Sequence, residues 1–441
     1  MTNSFAKFSF VAICILTACT SPAFSAASFR VVTYLSNQYQ SPGPLTEGLP
    51  GVFYSAAQTV FSVTTQGKLT TLATFQDPSY IQESDTVAAA NGLLYSSVEQ
   101  VINGGSGNLF SVGSKPGTEH MYPTTQGLAM TPVVGGLPDG GLFGVAYTFS
   151  NASYSLATAD LKGNITPFYQ FPGTDNTAFP VYHGDGNYYG TAASGATGIW
   201  ATYFYRVTPS GAFTQIASLP FVTTALPGSG RLVQATDGNF YGIQPQGLGC
   251  SPSNQHGAIF KLTPSGNFSI LHDFGPCGSV NSLIEGSDGK LYGSTQNYNA
   301  LFSLTTSGAY KVEYVMTQPI YEGQCTCFLL QGSDGIIYGA ATGGGPNGAG
   351  VIFALDAGLP VPKPQAGAFH PNSGAVGTRV RIWGYNLFGA SVAFNGVSAA
   401  KAVNSGPNYV WVNVPAGATT GPLTVTTPGG TVTTRKSFTV N

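Results

Sequence analysis

The sequence predicts an all-β protein: a seven-bladed β-propeller closed by the N-terminal strand, followed by a small β-sandwich. Three observations predict it. Two short motifs recur in step, seven times each, through residues 28–358. The runs between them are short and rich in aromatic and β-branched residues. The pattern then changes beyond a proline-rich stretch at 359–365.

Residues 1–26 read as an export signal. Lys7 supplies the positive end, and residues 8–18 form an apolar run too short to span a bilayer. Small residues at Ala23, Ser25, Ala26 and Ala27 suit ordinary cleavage. Leu16-Thr17-Ala18-Cys19 resembles a bacterial lipobox, which would end the signal at residue 18 and make Cys19 the lipidation candidate. One exit implies a secreted protein and the other a lipid anchor to a membrane. Both imply an exported, extracellular, cell-surface or envelope protein. Nothing beyond residue 30 is long and apolar enough for a second span.

The first motif is Asp-Gly-x-x-aromatic-Gly, at 139–144, 185–190, 237–242, 288–293 and 334–339, with weaker copies at 50–55 and 91–96. The second is clearest as Ile259-Phe260-Lys261-Leu262-Thr263-Pro264-Ser265-Gly266 and at 204–211. Related copies lie at 60–67, 109–117, 156–163, 301–308 and 352–358. Asp-Gly and Thr-Pro-Ser-Gly are turn signals, because glycine accepts φ > 0 and Asp or Thr bonds its own turn backbone. Around residue 250 these turns separate strand-like runs at 231–234, 240–243, 258–262 and 268–272. Four antiparallel strands at this period make one propeller blade. The seventh unit stops after its third run. Residues 28–35 resemble the missing fourth, so the N-terminal strand is expected to complete the last blade and close the ring.

The stretches at 286–295 and 257–266 resemble the bacterial GloVer tandem repeat of choice-of-anchor proteins. The resemblance covers roughly 30–358 and is sharpest in the fourth to seventh units. It implies export and one repeat architecture carrying varied surface anchors, in keeping with Cys19, and no particular activity.

Alternating prolines at 360, 362 and 364 stiffen the linker. The segments 371–387, 392–396, 410–415 and 421–430 then resemble an IPT/TIG domain, which implies an immunoglobulin-like sandwich over residues 366–441. The alternation of Val380 with Ile382, and of Val392 with Phe394, fits half-buried strands.

Composition narrows the function. Only 8% of residues are charged, against roughly 25% in average soluble domains. A net charge of −2 offers no basic footprint for nucleic acid. Of the six cysteines, four follow the signal: Cys250, Cys277, Cys325 and Cys327. An even number in an exported chain favours disulfides, expected as Cys250 with Cys277 and Cys325 with Cys327. No neighbouring histidine suggests zinc. The single Asp of each first motif reads as a turn residue and not a calcium loop, which would cluster several oxygen ligands. The repeated Tyr189, Tyr241, Tyr292 and Tyr338 read as packing between blades, although such rings could also face a carbohydrate.

A catalytic site would be built from residues that break the repeat: Asp77, Glu83, Asp85, Glu99, Glu119, Asp175, Glu285, Glu322 and the scattered His120, His183, His256, His272 and His370. None falls in a metal spacing or a nucleophile motif. The expectation is therefore a non-enzymatic protein, without a cofactor, that binds a glycan or a cell-surface protein through one propeller face. The rival is a polysaccharide hydrolase or lyase with acids at the channel mouth, which needs two such groups in one pocket.

Overall fold

The computed structural model describes residues 27–441 apart from 57–58, 76–79, 83–85, 90, 101–106, 123–127, 138–140, 149–152, 173–175, 178–179, 184, 195–199, 224–231, 245–256, 276–277, 296–298, 324–326 and 401–403. Among the described residues the strands form nine sheets, seven of them within residues 28–356. Each of the seven is an antiparallel set of four or five strands. The fifth is typical: Val233–Gln234, Phe240–Gln244, Ala258–Leu262 and Phe268–Asp273, in that order from inner to outer edge.

The seven sheets close on one another. The seventh consists of Phe328–Gln331, Ile337–Ala341, Val351–Asp356 and, as its outer strand, Ser28–Tyr34. Ser28 pairs with Asp356 and Tyr34 with Val351, so the N-terminal strand fills the place the last unit leaves open. Each pair of neighbouring sheets shares one apolar cluster. The last of these joins Tyr338 and Ile352 of the seventh sheet to Phe53 and Phe61 of the first. The arrangement is propeller-like.

Packing explains both motifs. In the fifth to seventh sheets the last aromatic of the first motif faces the following sheet, and the residue before it faces the preceding one. Tyr241 joins the cluster shared with the sixth sheet and Phe240 that shared with the fourth. Burial of a phenol demands a partner for its hydroxyl. The turn supplies one: Tyr241 donates to Asp237 (2.7 Å), Tyr338 to Asp334 (2.7 Å), Tyr189 to Asp185 (2.9 Å) and Tyr292 to Asp288 (3.1 Å). Tyr therefore follows Asp by four positions because one hydrogen bond spans the turn. In the second motif, Thr208 and Thr263 accept the backbone N–H of Ala212 and Asn267 (3.0 Å each), while Gly211 and Gly266 sit at φ near +85° and +91°.

These turns have a pH consequence. Burial raises the carboxyl pKa of Asp160, Asp185 and Asp237, but hydrogen bonds from neighbouring Asn, Lys and Tyr groups outweigh it and hold all three below the usual range, Asp185 down to about 2. A lowered native pKa contributes stability above the unfolded value, near 3.8, that is lost as pH falls through the native value. The stability these three carboxyls contribute is therefore expected to hold steady from pH 7 to about 5 and to be lost between pH 4 and 2, lowering the melting temperature there. Asp185→Asn should make that acid limb shallower. A limb of unchanged slope in calorimetry across this range would remove Asp185 from the account.

Residues beyond 364 form two further sheets. One contains Gln365–His370, Arg379–Tyr385 and Tyr409–Asn413, and the other Ser391–Phe394, Gly421–Thr427 and Gly430–Val440. Val380, Ile382, Val410 and Val412 meet Val392, Phe394, Leu423 and Phe438 in the core between them. The first strand begins at residue 365, one residue inside the expected linker.

Candidate functional site at the two ends of the ring

Antiparallel order places the Asp-Gly turns and the Thr-Pro-Ser-Gly turns at one end of the ring and the remaining connections at the other. The Asp-Gly end is held by a relay of clasps between neighbouring sheets. Glu285 of the sixth sheet accepts the backbone N–H (2.9 Å) and hydroxyl (2.7 Å) of Thr236 in the fifth. Gln331 of the seventh accepts the N–H of Ser287 in the sixth (2.9 Å) and donates to its hydroxyl (2.8 Å). Glu47 of the first accepts the N–H (2.8 Å) and hydroxyl (2.7 Å) of Ser333 in the seventh, so the relay crosses the point of closure. Glu47 is only 8% exposed. Burial pushes its carboxyl up, against the donors from Gly51 and Ser333.

Glu285 is thus not a residue that breaks the repeat. It occupies the same place as Gln331 and Glu47, two residues before the turn Ser in Glu285-Gly286-Ser287 and Gln331-Gly332-Ser333. That pattern was present in the sequence and is the signal that would have identified the clasp.

The C-terminal unit sits at this same end. Its linker touches the sixth and seventh sheets, where Ser287 donates to the Pro360 carbonyl and the Leu359 and Pro360 carbonyls crowd Gly335. Asn408 donates to the Ala88 carbonyl of the second sheet (3.1 Å), and the Tyr409 hydroxyl lies beside Gly92. Burial raises the pKa of the Tyr385 phenol, with Tyr182 of the fourth sheet as a lesser cause. The touching face is the outward side of the sheet containing Arg379–Tyr385. There Arg381 lies over the Trp383 ring (3.9 Å) and Arg379 over Trp411 (4.4 Å). Trp383 and Tyr409 point away from the sandwich core yet are 6% and 5% exposed.

The other repeat-breaking candidates do not converge among the described residues. No group of three or more His, Cys, Asp or Glu comes together there. His272 stacks on Tyr310 (4.2 Å), and burial lowers its pKa. His183 lies 3.0 Å from Asp185 within its own turn. Glu322 accepts the Tyr314 hydroxyl and the Gln318 N–H, closing a short helix at Pro319–Glu322. Glu119, His120 and His370 are exposed. Asp77, Glu83, Asp85, Asp175 and His256 lie outside the described residues, as does the Glu99 side chain. So do Cys19, Cys250, Cys277 and Cys325, while Cys327 is fully buried and disulfide-bonded. No described helix is long and apolar enough to cross a membrane.

Residues 176–363, the fourth to seventh sheets, match the Gloeobacter/Verrucomicrobia repeat, which supports a repeat family for this part of the chain. No curated protein sequence matches. Among solved structures, a streptogramin B lyase is similar with a TM-score of 0.56 at 16% identity, over 77% of this chain and 100% of that one. A virginiamycin B lyase from Staphylococcus aureus is similar with a TM-score of 0.54 at 15% identity, over 75% and 98%. At such identity the likeness is one of fold, and it agrees with the propeller-like all-β architecture.

Proposed function

We propose that the chain is an exported seven-bladed β-propeller carrying an immunoglobulin-like IPT/TIG module, and that it binds a neutral glycan through the end of the ring opposite the Asp-Gly turns. One observation carries the choice of end. The Asp-Gly end is taken up by the clasps and by the C-terminal unit, so the opposite end is left for a partner. Two features favour an uncharged, hydroxyl-rich ligand. The chain has few charged residues to recognise an ionic one, and the exposed Tyr34, Tyr321 and Phe328 lie at this end and offer rings against which sugar C–H faces pack.

A glycan array probed with the mature chain tests this. Binding to neutral polysaccharides is expected, and it should survive 0.5 M sodium chloride because no ion pairs carry it. No signal above background would overturn the reading. Release of new reducing or unsaturated ends from the bound polysaccharide would replace it with a hydrolase or lyase.

A further inference from the structure

The C-terminal unit meets the ring at its innermost strands. Asn408 donates to the carbonyl of Ala88 (3.1 Å), on the inner strand Val87–Ala88 of the second sheet, and the Tyr409 hydroxyl lies beside Gly92 in the turn that follows. Tyr385 comes near Tyr182, on the inner strand Val181–Tyr182 of the fourth sheet. At the seventh sheet the Leu359 and Pro360 carbonyls press on Gly335, in the turn after the inner strand Phe328–Gln331. The linker passes this last contact on to the unit. Asn386 donates to the Lys363 carbonyl (3.0 Å), and the Pro362 backbone leaves no room for a Cβ at Gly429. In a ring of seven, the second, fourth and seventh sheets each stand less than half a turn from the next. A body held at all three therefore lies across the axis.

Tyr385 shows what it lies across. The residue is 50% exposed, yet burial raises its pKa. A phenol that is both wet and enclosed stands in a walled space, and the space on the axis of a propeller is its central passage. Trp383 and Tyr409, on the same sheet face, are closed over. Charge favours this seat. Residues 27–358 hold nine Lys or Arg and 18 Asp or Glu, while residues 366–441 hold five Lys or Arg and no acid. The unit and the ring therefore attract each other.

We infer that the C-terminal unit is a stopper: it closes the Asp-Gly mouth of the central passage, with Tyr385 set into the mouth and Asn408 and Tyr409 holding the rim. The inference extends the propeller reading. It makes the passage a blind well, which a solute or a chain end enters and leaves only from the far end of the ring.

The test is photo-crosslinking of the intact mature chain with p-benzoylphenylalanine placed at one position at a time. In place of Tyr385 it is expected to capture the fourth sheet around residues 181–188. In place of Tyr409 it is expected to capture the second sheet around residues 87–94. Both products should keep the mass of a single chain. Capture only within residues 359–441, or of a second chain, would overturn the stopper. A second measurement needs no bulky label. Asn408→Glu sets a carboxylate against the Ala88 carbonyl and should unseat the unit without touching the sandwich core. In hydroxyl-radical footprinting of the native chain, Tyr409 should oxidise several-fold more slowly than Tyr321, in line with exposures of 5% and 55%. Asn408→Glu should remove most of that difference, and equal oxidation of Tyr409 in the two chains would overturn the seat. The glycan array is read separately, so a failed stopper leaves the ligand reading intact.

Discussion

Removing Ser28–Tyr34 is expected to abolish the cooperative melt of the ring. The strand pairs along Val351–Asp356. Phe29 stacks on Tyr314 of the sixth sheet (4.3 Å, 4°) and leans on Phe353 of the seventh (5.4 Å). Without it, a strand of six residues with five fully buried side chains becomes an open edge, and such an edge pairs with other chains. The loss should exceed about 5 kcal/mol, comparable with the whole stability of many domains. Calorimetry should show a broad, low transition, and gel filtration should show aggregates. A peptide of residues 28–34 added in excess should restore the sharp transition by adding a strand to that edge. A truncated chain that melts like the native one would refute closure by this strand.

The second large effect is expected at the glycine that ends the first motif. Gly339 lies opposite Phe353, and a Cβ there would overlap the Phe353 ring. Gly242 against Phe260, Gly293 against Phe302 and Gly190 against Tyr205 repeat the arrangement. In the fourth to seventh sheets the ring of the second motif thus lies over the glycine of the first, which is why the two travel together there, whereas Gly144 of the third faces Ala157. The first and second sheets instead put a serine in the glycine's place, Ser55 opposite Phe61 and Ser96 opposite Phe110. Gly339→Ala should destabilise the ring by about 1–3 kcal/mol, the usual range for overpacking, and lower the melting temperature by several degrees. Gly339→Ala combined with Phe353→Leu should recover part of that loss. If the double variant were additive, the ring-over-glycine contact would not be the cause.

Much of this architecture was legible before any coordinates. The spacing of Asp-Gly and Thr-Pro-Ser-Gly marks turns through local chemistry, and residues 28–35 carry the same aromatic and β-branched run as an outer strand. The clasps were harder to read, because Glu285 and Glu47 resemble solvated acids until their partners Thr236 and Ser333 are known. Those partners lie 49 and 286 residues away. The contact of Asn408 with Ala88 has no sequence signature at all, since surfaces of separate units meet through shape.

The pairing of Ser28 with Asp356 fixes how the molecule would stand on a surface. Both chain ends leave the ring at one pole, so a tether upstream of Ser28 would pull from the side where the Arg–Trp face of the C-terminal unit is seated. The far pole, with the connections between the second and third strands of each sheet, would then look outward into the medium.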